Sequence, residues 1–150
     1  MSTDRIEKTV VLRAPRSRVW RALTDAREFG TWFRVALEGP FVVGATVRGT
    51  STYPGFEDKV VEMSVERMDA ERLFSYRWHP YAVNPEVDYS TEPTTLVEFR
   101  LDEDAGGTRL TIVESGFDRI PSARRAEAFR RNEGGWSEQL VNIQRHVSPA

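Results

Sequence analysis

The chain has 150 residues, 39% hydrophobic and 29% charged, a length and balance that suit one folded domain burying roughly 68–70% of its unfolded surface. Its formal net charge of −2 offers no general attraction to a phosphate backbone, which argues against nucleic acid as a partner. With no cysteine, no run of about 18 apolar residues for membrane insertion, and charges where a signal peptide needs an apolar stretch (MSTDRIEKTV), a cytoplasmic protein without disulfides or thiolate chemistry is expected.

Ile6 to Arg13 reads as a strand, with Ile6, Val10 and Leu12 on one face and Glu7, Thr9 and Arg13 on the other; Val11 breaks the alternation. Pro15 opens a short helix carrying Val19, Trp20 and Leu23. Asp25 and Glu28 have the spacing of a capping box, which predicts a second short helix with Phe29, Trp32 and Phe33. After a short strand at Val35–Glu38 and turns at Gly39-Pro40 and Gly44, the period becomes two. Five strands follow: Thr46–Tyr53, Glu57–Met68, Arg72–His79, Thr94–Asp102 and Thr108–Phe117. No helix separates them, so the sheet is antiparallel and meandering, with six or seven strands.

From about Pro121 to Val147 the pattern is helical, and Phe129, Trp136, Leu140, Ile143 and Val147 form one apolar stripe. Gly134-Gly135 predicts a kink or break inside it. The expected architecture is therefore α+β of the helix-grip kind, a curved sheet folded around a long C-terminal helix. One helix is about 10 Å wide, and six strands at about 4.8 Å span more than twice that. Part of the concave face then stays uncovered as a cavity.

Nucleophile, zinc-protease and nucleotide-loop motifs are absent, no catalytic residue or cofactor is assigned, and the two histidines, His79 and His146, are too few for a histidine-rich metal site. The candidate ligand site is Trp32, Phe74, Tyr76, Trp78, Phe99, Ile112, Phe129, Trp136 and Leu140, with polar Glu114, Arg125 and Asn132. The aromatics would be core in most proteins, but apolar surface in excess of what one helix covers makes them pocket wall as well. Alternation sends Leu110, Ile112 and Glu114 inward, and a projection at 100° per residue puts Arg125 and Asn132 on the apolar stripe. Rise per residue on strand and helix predicts a Glu114–Arg125 ion pair at one end of the pocket, with Asn132 deeper, opposite Ile112 or Leu110. The segment Pro80–Pro93 reads as a long loop, a lid or a disordered stretch. The basic run Arg119, Arg124, Arg125, Arg130 and Arg131 reads as a solvated face, or as a site for an anionic ligand.

Four ordered segments carry a resemblance: Ala14–Phe33, FSYRWHP at Phe74–Pro80, Thr94–Phe117 and RRNEGGWSEQL at Arg130–Leu140. Together they resemble the heat-shock-protein-90 ATPase activator-like branch of the START-like (SRPBCC) superfamily over nearly the whole chain. The resemblance implies a helix-grip fold and a hydrophobic cavity lined by the aromatic strand Phe74–Pro80. Superfamily members include lipid carriers, polyketide cyclases, antibiotic-binding proteins and co-chaperone domains. The leading expectation is a non-enzymatic domain that binds a small apolar or aromatic ligand. Two alternatives are a cyclase- or hydrolase-like enzyme using Glu114 as general base and, from the resemblance only, a domain acting on a chaperone partner.

Overall fold

The computed structural model describes residues 4–84 and 86–148. Strand β1 (Arg5–Leu12) buries Ile6 and Leu12 and leaves Val11 exposed, which explains the imperfect alternation. Helix α1 (Arg16–Thr24) follows Pro15 directly and buries Val19, Ala22 and Leu23. Asp25 then serves two helices. Its N–H donates to Arg21 O at 2.9 Å, closing α1, while its carboxylate accepts from the N–H groups of Arg27 and Glu28 at 2.9 and 3.0 Å, capping α2 (Ala26–Phe33). The return bond of a full capping box is missing because the Asp25 N–H already has an acceptor. The Glu28 carboxylate turns instead to Arg18, Arg21 and His146.

Strand β2 (Val35–Leu37) leaves α2 so closely that a Cβ on Gly30 would lie 2.4 Å from Val35 O. The remaining strands are β3 (Thr46–Ser51), β4 (Val60–Asp69), β5 (Leu73–Trp78), β6 (Thr95–Asp104) and β7 (Gly107–Ser115). All neighbours are antiparallel in the order β1-β7-β6-β5-β4-β3-β2, so β2 to β7 meander and β1 closes beside β7. A register shift between Val65 and Arg67, where β4 carries one residue more than β5, adds local bend.

After a 3₁₀ turn at Phe117–Arg119, helix α3 runs unbroken over Ser122–Val147. The break expected at Gly134-Gly135 is not there: the hydrogen-bonded ladder continues through both residues, and the stripe keeps its phase. Trp136, Ile143 and Val147 are buried, and half-buried Phe129 and Leu140 pack against the same core. Phe74, Tyr76, Phe99, Leu110 and Ile112, expected on the concave face, are buried, and Met63, Val65, Val97 and Leu101 are buried with them. Phe29 of α2 joins them, meeting Phe41 and Phe99 edge-on at centroid distances of 5.3 and 6.4 Å. Each such side chain contributes about 1.5–3 kcal/mol by leaving water. Among the described residues no helix is long and apolar enough to cross a membrane.

Candidate functional site

Strands β5, β6 and β7 set three polar or amphipathic side chains side by side. Trp78 pairs with Thr95 and Val97 with Glu114, and Thr95 and Val97 share a face of β6. Glu114 is fully buried, as is Thr95. Its Oε2 accepts from Trp78 Nε1–H at 2.8 Å and from the Thr95 hydroxyl at 2.5 Å. Its Oε1 accepts from Trp136 Nε1–H at 2.8 Å, and Asn132 Nδ2 donates to Oε1 and Oε2 at 2.9 and 3.1 Å. Burial pushes the Glu114 carboxyl above the ordinary glutamate range, and the hydrogen bonds from Thr95, Trp78, Trp136 and Asn132 oppose that shift. An indole N–H can only donate, and one is aimed at each oxygen. The donor set fits the ionised form.

The predicted Glu114–Arg125 pair does not form. Arg125 Nε donates to Ile120 O at 3.0 Å, and Asn132 takes the place at the carboxylate instead of sitting deeper. The angular projection holds, since both residues lie on the buried side of α3, but the level is off by seven residues, about 10 Å of helix. Fully buried Phe117 and Ile120 anchor the connection, so α3 begins well beyond the end of β7 and its third and fourth turns, which carry Asn132 and Trp136, come level with Glu114.

Beside this cluster lies an open cavity of about 1000 Å³ between β3–β5, the 80–93 segment and the middle of α3. Of the expected site residues, Trp78 and Asn132 line it. Phe74, Tyr76, Phe99, Ile112, Trp136 and Leu140 lie away from it, in the core between sheet and helix. Phe74 and Phe99 stack at 5.9 Å, and the Trp136 ring stacks on Trp78 at 5.8 Å. Trp32 is also core, its Nε1–H donating to Ala22 O at 2.8 Å, and Phe129 packs edge-on to Phe117 at 5.1 Å. The helix and Phe29, Phe33 and Phe41 fill the space under the sheet, which moves the opening to the flank.

Several lining residues were not among the expected site residues. Phe33, Tyr53 and Val61 give apolar wall, and Phe56, Val60 and Val87 are exposed hydrophobic members of the lining. Arg34 (φ 67°) and Tyr81 (φ 49°) are held in the left-handed region, a conformation that costs non-glycine residues about 1–3 kcal/mol. Arg34 sits over the Tyr53 ring at 5.4 Å and Arg131 over the Tyr81 ring at 5.5 Å. Arg48, Lys59 and Arg130, also on the lining, pair with Glu38, Asp58 and Glu127 at 3.6, 3.6 and 3.7 Å. Glu62, Asp88 and Glu138 add three carboxylates. Thr95, by contrast, was legible, since it alternates inward with Val97 and Phe99.

The segment 80–93, of which Pro85 lies outside the described residues, covers one side of the cavity with Tyr81, Val83, Val87 and Tyr89. Arg124, expected on a solvated face, clasps it. Its Nη1 donates to Pro80 O at 2.7 Å and its Nε to the Glu92 carboxylate at 2.8 Å, and the guanidinium lies over the Tyr89 ring at 4.8 Å. His79 also lines the cavity, with Nε2 3.1 Å from Glu92 O. Among the described residues no group of three acidic or histidine side chains could hold a metal ion.

Comparison with known proteins places this geometry in a family. The sequence profile of the Activator of Hsp90 ATPase homolog 1-like protein family matches residues 13–148. No curated protein matches the chain. Among solved structures, DynU16, from the dynemicin biosynthetic locus, is 25% identical with a TM-score of 0.72 over 96% of this chain, which spans only 47% of DynU16. MLL2253 from Mesorhizobium loti is 22% identical, TM-score 0.75, covering 95% of this chain and 96% of that one. The Aha1 dimer from Colwellia psychrerythraea is 14% identical, TM-score 0.73, with 96% of both chains covered. The last two show the shared helix-grip fold.

Proposed function

The chain belongs to the Activator of Hsp90 ATPase homolog 1-like family, and from that premise we propose that it binds a small, largely apolar or aromatic molecule in the cavity beside the 80–93 segment. The observation that carries this reading is Gly134-Gly135. Each glycine costs a helix interior about 1 kcal/mol relative to alanine. No atom lies within 4 Å of where either Cβ would be, so packing against the rest of the protein does not demand them. Both residues line the cavity, where missing side chains leave room for an occupant. The aromatic walls Phe33, Tyr53 and Trp78 and the two strained residues Arg34 and Tyr81 point the same way. The place of DynU16 in a biosynthetic locus fits a fold that handles small molecules.

Native mass spectrometry of freshly purified protein is expected to show the folded chain carrying a small molecule. Protein stripped of it should bind flat aromatic compounds with a saturable change in tryptophan emission. Gly135→Leu, which fills the wall, should weaken that binding at least tenfold while the protein stays folded. Stripped protein giving no saturable change over a diverse aromatic set would refute the reading.

A further inference from the structure

The charges around the cavity are unevenly matched. Five basic side chains stand on the lining; three pair with carboxylates just outside it, two lie over tyrosine rings, and three more carboxylates share the lining. These groups largely balance one another. Glu114 is different. Its partners are an amide, a hydroxyl and two indoles, all uncharged, so among the described residues its negative charge meets no counter-charge at its hydrogen-bonding atoms, in a site shut off from water. Trp78 and Asn132 each touch Glu114 and the cavity at once, so the wall between them is one side chain thick.

Hydrogen bonds stabilise an ionised carboxylate but do not cancel its field, which in low dielectric reaches farther than that of an exposed acid. The nearest open space that field reaches is the cavity. There Trp78, stacked on Trp136 and turning its indole N–H edge to the carboxylate, offers an indole, the aromatic group that best attracts a cation, and that attraction adds to the carboxylate's. Building on the binding reading above, we propose that the cavity takes an aromatic or apolar molecule bearing a cationic nitrogen, an amine or quaternary ammonium, with Glu114 as its buried counter-charge behind Trp78.

The test compares three probes of one shape at pH 7 by titration calorimetry on ligand-stripped protein: 2-naphthylmethylamine as its ammonium ion, 2-naphthylmethanol and 2-naphthoate. The ammonium ion is expected to bind at least tenfold more tightly than the alcohol, and the carboxylate more weakly than either. That preference should hold within about twofold between 0.05 and 0.5 M salt, because a buried charge is little screened. In Glu114→Gln the ammonium and alcohol affinities should become equal; the salt series on the unaltered protein decides the matter if that variant fails to fold. Equal binding of ammonium and alcohol, tightest binding of the carboxylate, or a preference that collapses in salt and so belongs to the exposed acids of the lining would each overturn the proposal while leaving the cavity a binding site. Silence from all three probes would remove the binding reading and this inference together.

Discussion

Two of the glutamates that join the long helix to the rest of the protein do so by opposite means. Glu28, near the C-terminal end of α3, keeps about a quarter of its side chain exposed and accepts from Arg18 at 2.7 Å, Arg21 at 2.8 Å and His146 at 2.9 Å. Glu114, level with the middle of α3, is fully buried and accepts only from neutral groups. Partial burial pushes the Glu28 carboxyl up, but hydrogen bonds from His146, Arg18 and Arg21 and the Arg18 charge outweigh it, leaving the carboxyl below its ordinary value. At Glu114 burial prevails and the shift is upward. Cations neutralise a carboxylate where water still helps; dipoles alone hold one where water is excluded, and the charge then remains to act on whatever enters nearby.

The largest effect should come from Glu114→Ala. Four donors, those of Thr95 and Trp136 buried and those of Trp78 and Asn132 partly so, lose their acceptor, and a loss of about 3–5 kcal/mol is expected on urea unfolding. A loss below about 1 kcal/mol would mean that water enters the cluster and that the two glutamates are alike. Trp136→Phe keeps most of the ring and deletes one donor to a charged acceptor, so about 1.5–3 kcal/mol should be lost at unchanged m-value. Glu28→Gln, on the partly exposed side, should cost only about 1 kcal/mol at pH 7.

The two sites also differ in sign with pH. Because the folded Glu28 carboxyl lies below its unfolded value of about 4.3, its contribution is present above that pH and disappears as pH falls through the folded value. The stability gap between the unaltered protein and Glu28→Gln should therefore close below about pH 4. Glu114, raised on folding, contributes oppositely: its share is present at low pH and is lost as pH climbs through the folded value. A gap at Glu28 that widened in acid would contradict the assignment.

The smallest change concerns Tyr76. Its hydroxyl is buried without a hydrogen-bond partner among the described residues, and burial, with the nearby Glu114 charge, pushes its ionisation well up. Tyr76→Phe should stabilise the protein by about 1 kcal/mol, as removal of an unsatisfied group does. A loss of the same size would place the hydroxyl inside the Glu114 cluster and add a fifth donor to it.

Local sequence determined every strand and α-helix of this fold and their order (though not the 3₁₀ turn at Phe117–Arg119), the Asp25 cap between two helices, the inward turn of Glu114, and the face of α3 that carries Asn132 and Trp136. These follow from periods of 2 and 3.6 and from backbone groups that must find partners within a few residues. Tertiary structure alone decided that Asn132 rather than Arg125 meets Glu114, that the expected aromatic pocket is solid core, and that the opening lies on the flank beside residues such as Arg34 and Tyr81. A repeat pattern gives the direction in which a side chain points but carries no information about how far one element slides along another. That translation is set by distant burial, here of Phe117 and Ile120 at the start of α3 and of Phe29 and Phe41 under the sheet.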